Sequence, residues 1–102
     1  MFARTVSIHL KSNMLSDYTR TFEKDVLPLL RKQNGFRDQM AFSGPGGTDV
    51  TAISLWDNKA NAEAYNNNIY PEVVKTLASV TDGTPKVLSG EVVNSTMHLK
   101  SA

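Results

Sequence analysis

Near the start of the chain Val6, Ile8 and Leu10 alternate with Thr5, Ser7 and His9. A period of two belongs to a β-strand with unlike faces, so residues 2–10 are predicted as the first strand. Past the polar Lys11-Ser12-Asn13 the period changes. Leu15, Tyr18, Phe22, Val26, Leu29 and Leu30 recur at steps of three and four, which lines one face of a helix. Ser16 is the expected cap, and Gly35 the expected stop, since glycine takes positive φ without strain. Pro28 sits inside the stripe. It removes one backbone donor and crowds the carbonyl four residues back, which predicts a kink over 24–28 within one continuous helix.

"FRDQMAFSGPGGTDVTAISLW" reads as a hairpin, with strands over 36–42 and 50–56 joined by the glycine-rich "SGPGGTD". Asn58 is placed to cap a helix through Ala60, Ala62, Ala64 and Tyr65. The poor helix formers "NNN" are expected to interrupt it, and Pro71 to open a further helix reaching about residue 80. "TDGTP" is expected to break the chain before a last strand from Lys86 to about His98, with Gly90 as a possible bulge.

The order strand, helix, strand, strand, helix, strand gives an α+β chain. It is the ferredoxin-like β-α-β-β-α-β arrangement, a four-stranded antiparallel sheet with its helices on one face and the second helical region broken in two. The chain, residues 1–102, is expected to form a single domain. If Val6, Ile8 and Leu10 face the helices, the other sheet face still carries bulky apolar groups, either Ile53 and Leu55 or Val50 and Trp56. Such a face marks an interface, and two copies packed sheet on sheet are the simplest way to cover it.

Composition narrows the function. With 40% hydrophobic and 21% charged residues the chain lies in the globular range, away from the signature of disorder. Eleven Lys and Arg against ten Asp and Glu leave a scattered net charge of +1, which gives no footprint for nucleic acid. There is no cysteine, so disulfides and thiolate chemistry are excluded, and a reducing cytoplasm fits. No run approaches the roughly 20 apolar residues of a membrane span. A cytoplasmic protein without membrane contact is expected. His9 and His98 stand apart from each other and from any Glu at ligand spacing, so no metal motif can be assembled. "SGPGG" lacks the Lys and Ser/Thr of a phosphate loop, and no G-x-S-x-G elbow occurs.

Two stretches resemble a known family. "FEKDVLPLLRKQNGF" has the form of a kinked first helix closed by a Gly-Phe step, and "ISLWDNKANAEAY" that of a strand ending in Trp followed by an alanine-rich helix. Both are similar to the antibiotic-biosynthesis-monooxygenase-like domains of the dimeric α/β-barrel superfamily, and the match covers nearly the whole chain. The resemblance implies two ferredoxin-like subunits joining their sheets into a barrel, each with a ligand cleft between its own helices and sheet. It also implies a range of activities, from cofactor-independent oxygenation of aromatic polyketides to haem degradation.

In the polyketide oxygenases a Trp matched by Trp56 works with an Asn four residues earlier and a Tyr in the following helix start. Those positions hold Ala52 and Ala62 here, with Tyr65 one turn further on. In the haem-degrading members the site positions fall on Tyr65, Lys75 and about Ile8. Lysine is a poor axial ligand, so haem chemistry is disfavoured and no cofactor is expected.

Trp56 has two readings, a platform for a planar aromatic substrate or a plug at the junction of sheet and helix. Tyr65 and Tyr70 flank the "NNNI" break, where their phenols either bond a substrate hydroxyl or serve packing. With Ser54 and Phe22 these form the candidate substrate-binding set. His9 titrates near neutrality and is a candidate general base, although its alternation places it on the face away from the helices. Trp56 and His9 are therefore the catalytic candidates, and no base is otherwise evident. Two functions follow: a small cofactor-independent monooxygenase acting on an aromatic or polyketide-like molecule, or a non-catalytic homodimer that binds a small apolar ligand.

Overall fold

A computed structural model of the chain describes residues 1–96. Its centre is a four-stranded antiparallel sheet in the order β2-β3-β1-β4. Strand β1 (Phe2–Leu10) pairs with β3 (Asp49–Trp56) on one side and β4 (Thr81–Glu91) on the other, while β2 (Phe36–Ser43) lies outside β3. This is the expected ferredoxin-like topology. Val6 lies opposite both Ala52 and Val87, so these side chains share a face. On that face Phe2, Val6, Ile8 and Leu10 of β1 are buried with Val50 and Trp56 of β3. Ile53 and Leu55 consequently point the other way, which decides between the two alternatives left open by the sequence.

The first helical region runs from Leu15 and takes three forms in succession: α1 (Leu15–Thr21), a π-helical turn (Phe22–Val26) and α2 (Leu27–Arg31). Pro28 has no N–H to offer the carbonyl of Lys24, and the wider turn just before it absorbs the mismatch. The expected kink is thus a π turn. Met14, not Ser16, occupies the position before the first turn, and Ser16 is exposed within α1. Tyr18, Val26 and Leu30 of the apolar stripe are buried, and Leu15, Phe22 and Leu29 pack against them. Gly35 closes the region at φ 76°, where an added Cβ would collide with the Asn61 side chain. Only glycine fits that approach.

The second helical region comprises α3 (Lys59–Asn68) and α4 (Tyr70–Leu77). Asn58 caps α3 as expected, its side chain accepting from the Asn61 N–H at 2.9 Å. The break falls at Ile69 and not within Asn66 to Asn68, which remain helical. α4 ends at Leu77, short of residue 80, where turn hydrogen bonds take over.

The last strand departs most from expectation. β4 begins at Thr81 rather than Lys86, so "TDGTP" lies inside it instead of breaking the chain. Asp82 pairs with His9 and Lys86 with Ser7, which leaves residues 83–85 opposite Ile8 alone. Gly83 supplies a positive φ of 76° for this bulge, and Pro85 is tolerated because β4 is an edge strand. Gly90 keeps regular register with Ala3 and is not the bulge. The strand ends at Glu91, and the expected extension to His98 reaches outside the described residues.

All four helices pack on one face of the sheet. On the other, Met40, Phe42 and Leu88 are 59%, 56% and 75% exposed. Met40, Ile53, Thr5 and Leu88 stand in one row across the four strands, with Thr5 between the apolar groups of β3 and β4. No helix of the described residues is long and apolar enough to cross a membrane.

Candidate functional site

The helices and the inner sheet face do not close completely on each other. Between them lies a narrow cleft open to solvent at its mouth. Its floor is Arg4, Val6 and Ile8 of β1 with Ala52 and Ser54 of β3. Phe22 and Leu30 form one wall, and Tyr65, Tyr70, Val73 and Leu77 the other. Four of the five binding candidates, Ser54, Phe22, Tyr65 and Tyr70, are brought together here.

Trp56 is the exception. It is fully buried behind the cleft, because the inward parity of β3 aims it into the angle between sheet and α3. Its ring meets Phe36 edge-on at 5.5 Å and Tyr65 at 5.1 Å. Its indole N–H donates to Ser54 Oγ at 2.9 Å, so the one polar group of the ring is satisfied inside the protein. The tryptophan is the plug of the junction, and it reaches a ligand only through the two residues it supports.

Tyr65 is buried, and burial foremost pushes its phenol up to about 12, with the positive charge of Arg4 acting in the opposite sense. It therefore stays protonated at neutral pH and can donate a hydrogen bond. Its ring continues the aromatic series to Tyr70 at 6.2 Å. The hydroxyls of Tyr18 and Tyr70 are buried and in no well-formed hydrogen bond, that of Tyr70 lying close enough to the Arg4 guanidinium to help raise its pKa. Such groups normally find a partner when buried.

The principal group of the cleft escaped the sequence reading. Arg4 is only 4% exposed, yet it projects from the apolar stripe of β1. Its guanidinium lies 4.1 Å from the Tyr70 ring centre and 5.3 Å from that of Tyr65, and Nη2 donates to Asn66 Oδ1 at 2.8 Å. No carboxylate among the described residues pairs with it. Desolvation lowers its pKa, while the two tyrosines raise it; a guanidinium nonetheless remains charged. The signal was present in the sequence as an arginine at the inward parity between Phe2 and Val6. The asparagines read as helix breakers supply its partner.

His9 lies on the opposite side of the sheet from the cleft. Its Nδ1 is 2.8 Å from Asp49 Oδ1, with both side chains largely exposed. The hydrogen bond to Asp49 is the main cause raising its pKa. Distance through the sheet excludes it as a base for anything bound in the cleft. The cleft itself is lined by no carboxylate or imidazole among the described residues. Ala52 belongs to the floor, whereas Ala62 borders a separate recess beside Glu63 and Asn66.

Known structures share this architecture. A monooxygenase from ActVA-Orf6 of Streptomyces coelicolor, in complex with nanaomycin D, superposes with a TM-score of 0.79 at 16% identity, over 96% of this chain and 92% of that one. SnoaB of Streptomyces nogalater, a cofactor-independent oxygenase, gives 0.77 at 8% identity over 95% and 97%. The fold is that of the antibiotic biosynthesis monooxygenases. A protein of unknown function from Nitrosomonas europaea matches equally well, with a TM-score of 0.79 at 15% identity over 96% and 94%. No family model and no curated protein matches the sequence.

Proposed function

We propose that the chain is a small cofactor-independent oxygenase of a hydroxylated aromatic molecule, acting in the cleft between its helices and sheet. The observation that carries this is the cleft's composition: aromatic and aliphatic walls around a buried guanidinium that no carboxylate of the described residues pairs with. The fold it shares with SnoaB and the nanaomycin-bound monooxygenase supports the same chemistry.

A phenolic ring system entering as its anion would lie against Phe22, Tyr65 and Tyr70, with water excluded and the negative charge directed to Arg4. Fixed positive charge in a low-dielectric site stabilises an enolate far more than water does. The electron-rich carbon of the enolate then reacts with dioxygen to form a carbon–oxygen bond. For an anthrone, loss of water from the peroxide gives the quinone, so one dioxygen is consumed and one water released per ring oxidised. Tyr65, protonated at neutral pH, is placed to donate a hydrogen bond to the developing oxyanion. The substrate's own acidity replaces a protein base, in keeping with a cleft that offers none.

That same lack of a base favours a second reading, a binder that holds the aromatic ligand without turning it over. Oxygen uptake with dithranol as substrate separates the two. Uptake above the protein-free rate, with one dioxygen per anthrone, supports catalysis; saturable binding without extra uptake supports the binder.

A homodimer is part of the proposal. The bare row of Met40, Ile53 and Leu88 needs a cover of matching apolar character, and a second sheet of the same chain provides it.

A further inference from the structure

A charged side chain in a protein interior is normally paired with an opposite charge, because removing it from water alone is costly. Arg4 departs from this pattern. Two tyrosine faces and one asparagine oxygen offset part of the cost, but neither carries a formal charge. Glu63 borders the recess on the far side of Arg4 and makes no ion pair with it. The guanidinium has five N–H donors in a planar fork, and Asn66 receives one. Next to it the Tyr70 hydroxyl is buried, close enough to the guanidinium to raise its pKa but in no well-formed hydrogen bond, and Tyr70 belongs to the lining of the same cleft. A positive charge thus stands in a cavity lined mainly by apolar and aromatic side chains.

We infer that Arg4 is the specificity-determining residue of the cleft, and that the ligand is a planar aromatic molecule carrying an anionic oxygen, a carboxylate or an ionised hydroxyl, which completes the charge pair that the protein leaves open. The planar fork suits a two-oxygen or oxygen-plus-hydroxyl contact, and such charge-assisted bonds are about twice as strong as neutral ones. Tyr70 supports the arrangement from one side, its ring holding the guanidinium in place. The inference rests on the cleft being the ligand site, but it does not depend on turnover.

The test compares three probes of one shape, α-naphthoate, its neutral carboxamide and α-naphthol, by calorimetric titration of the full chain. Naphthoate is expected to bind about tenfold or more tighter than the carboxamide, and Arg4→Met to abolish that preference. Naphthol distinguishes the two anion sources. A bound naphthol that ionises at lower pH than in water, followed by its absorbance, assigns the site to an ionised hydroxyl, and an unshifted one assigns it to a carboxylate. Equal binding of naphthoate and carboxamide to the wild-type protein overturns the inference and leaves the cleft as a ligand site. Failure of all three to bind at millimolar concentration overturns both. The wild-type comparison holds even if Arg4→Met does not fold.

Discussion

The Arg4 guanidinium lies 4.1 Å above the ring of Tyr70, whose hydroxyl is buried without a hydrogen-bond partner. A buried cation whose neighbours carry no formal charge suits an anion that enters the cleft. Tyr18 has an equally orphaned hydroxyl, but it packs against Phe22 at 5.7 Å and is not among the cleft-lining residues. The pair makes a controlled comparison. Tyr70→Phe and Tyr18→Phe are each expected to leave stability unchanged or raise it by up to about 1 kcal/mol, since each removes an unsatisfied group. Only Tyr70→Phe is expected to weaken naphthoate binding, by several fold. Equal effects of the two variants on affinity would show that the Tyr70 hydroxyl has no contact with ligand.

Trp56 gives the opposite signature. Fully enclosed, it supports Tyr65 and Ser54 from behind. Trp56→Phe leaves a cavity and strips Ser54 of its donor, and chemical denaturation is expected to show a loss of about 1–3 kcal/mol. Ligand affinity should fall little beyond what the lost stability explains. A large loss of affinity at unchanged stability would return the tryptophan to the cleft.

His9 tests the outer face. Its pKa is raised above the ordinary 6.5, chiefly by the hydrogen bond it donates to Asp49, so the protonated ring is favoured by folding. The sign follows directly: whatever stability the pair contributes is complete below pH 6.5 and disappears as pH rises through the raised folded value. Proton NMR titration of the imidazole should show the elevated midpoint, and Asp49→Asn should bring it back toward 6.5. An Asp49→Asn titration that does not move would remove Asp49 as the cause.

The bare sheet face predicts association. Leu88, 75% exposed on the edge strand, and Phe42 at 56% belong to its apolar surface. Light scattering is expected to give a dimer at micromolar concentration, and the double change Phe42→Lys with Leu88→Lys a monomer of native spectrum. A wild-type monomer under those conditions would contradict sheet-on-sheet pairing.

How much of this could be read from the chain depends on the range of the interaction. Alternation in β1 and the three-and-four stripe of the first helix are local, and they located the core, the topology and the uncovered face. Pro28 announced a distortion, although its form as a π turn depends on how the helix lies on the sheet. β4 was misplaced because Gly83 and Pro85 look like chain breakers, and only pairing with β1 shows that an edge strand absorbs them as a bulge. The site was legible in membership more than in rank. Ser54, Phe22, Tyr65 and Tyr70 are neighbours in the cleft, but the local sequence around Trp56 carries no sign of which side of the junction its ring fills. Arg4 was overlooked because a single charge near a chain end resembles surface, and its burial depends on α3 and α4 folding over it.

The central claim is that a small aromatic molecule occupies the cleft on the helix side of the sheet. Amide chemical-shift mapping of isotopically labelled protein titrated with α-naphthoate tests it most directly. Saturable shifts centred on Arg4, Ser54, Tyr65 and Tyr70, with Met40, Phe42 and Leu88 unmoved, are the expected result. Shifts centred on Met40, Phe42 and Leu88, or no saturable shift anywhere, would contradict it.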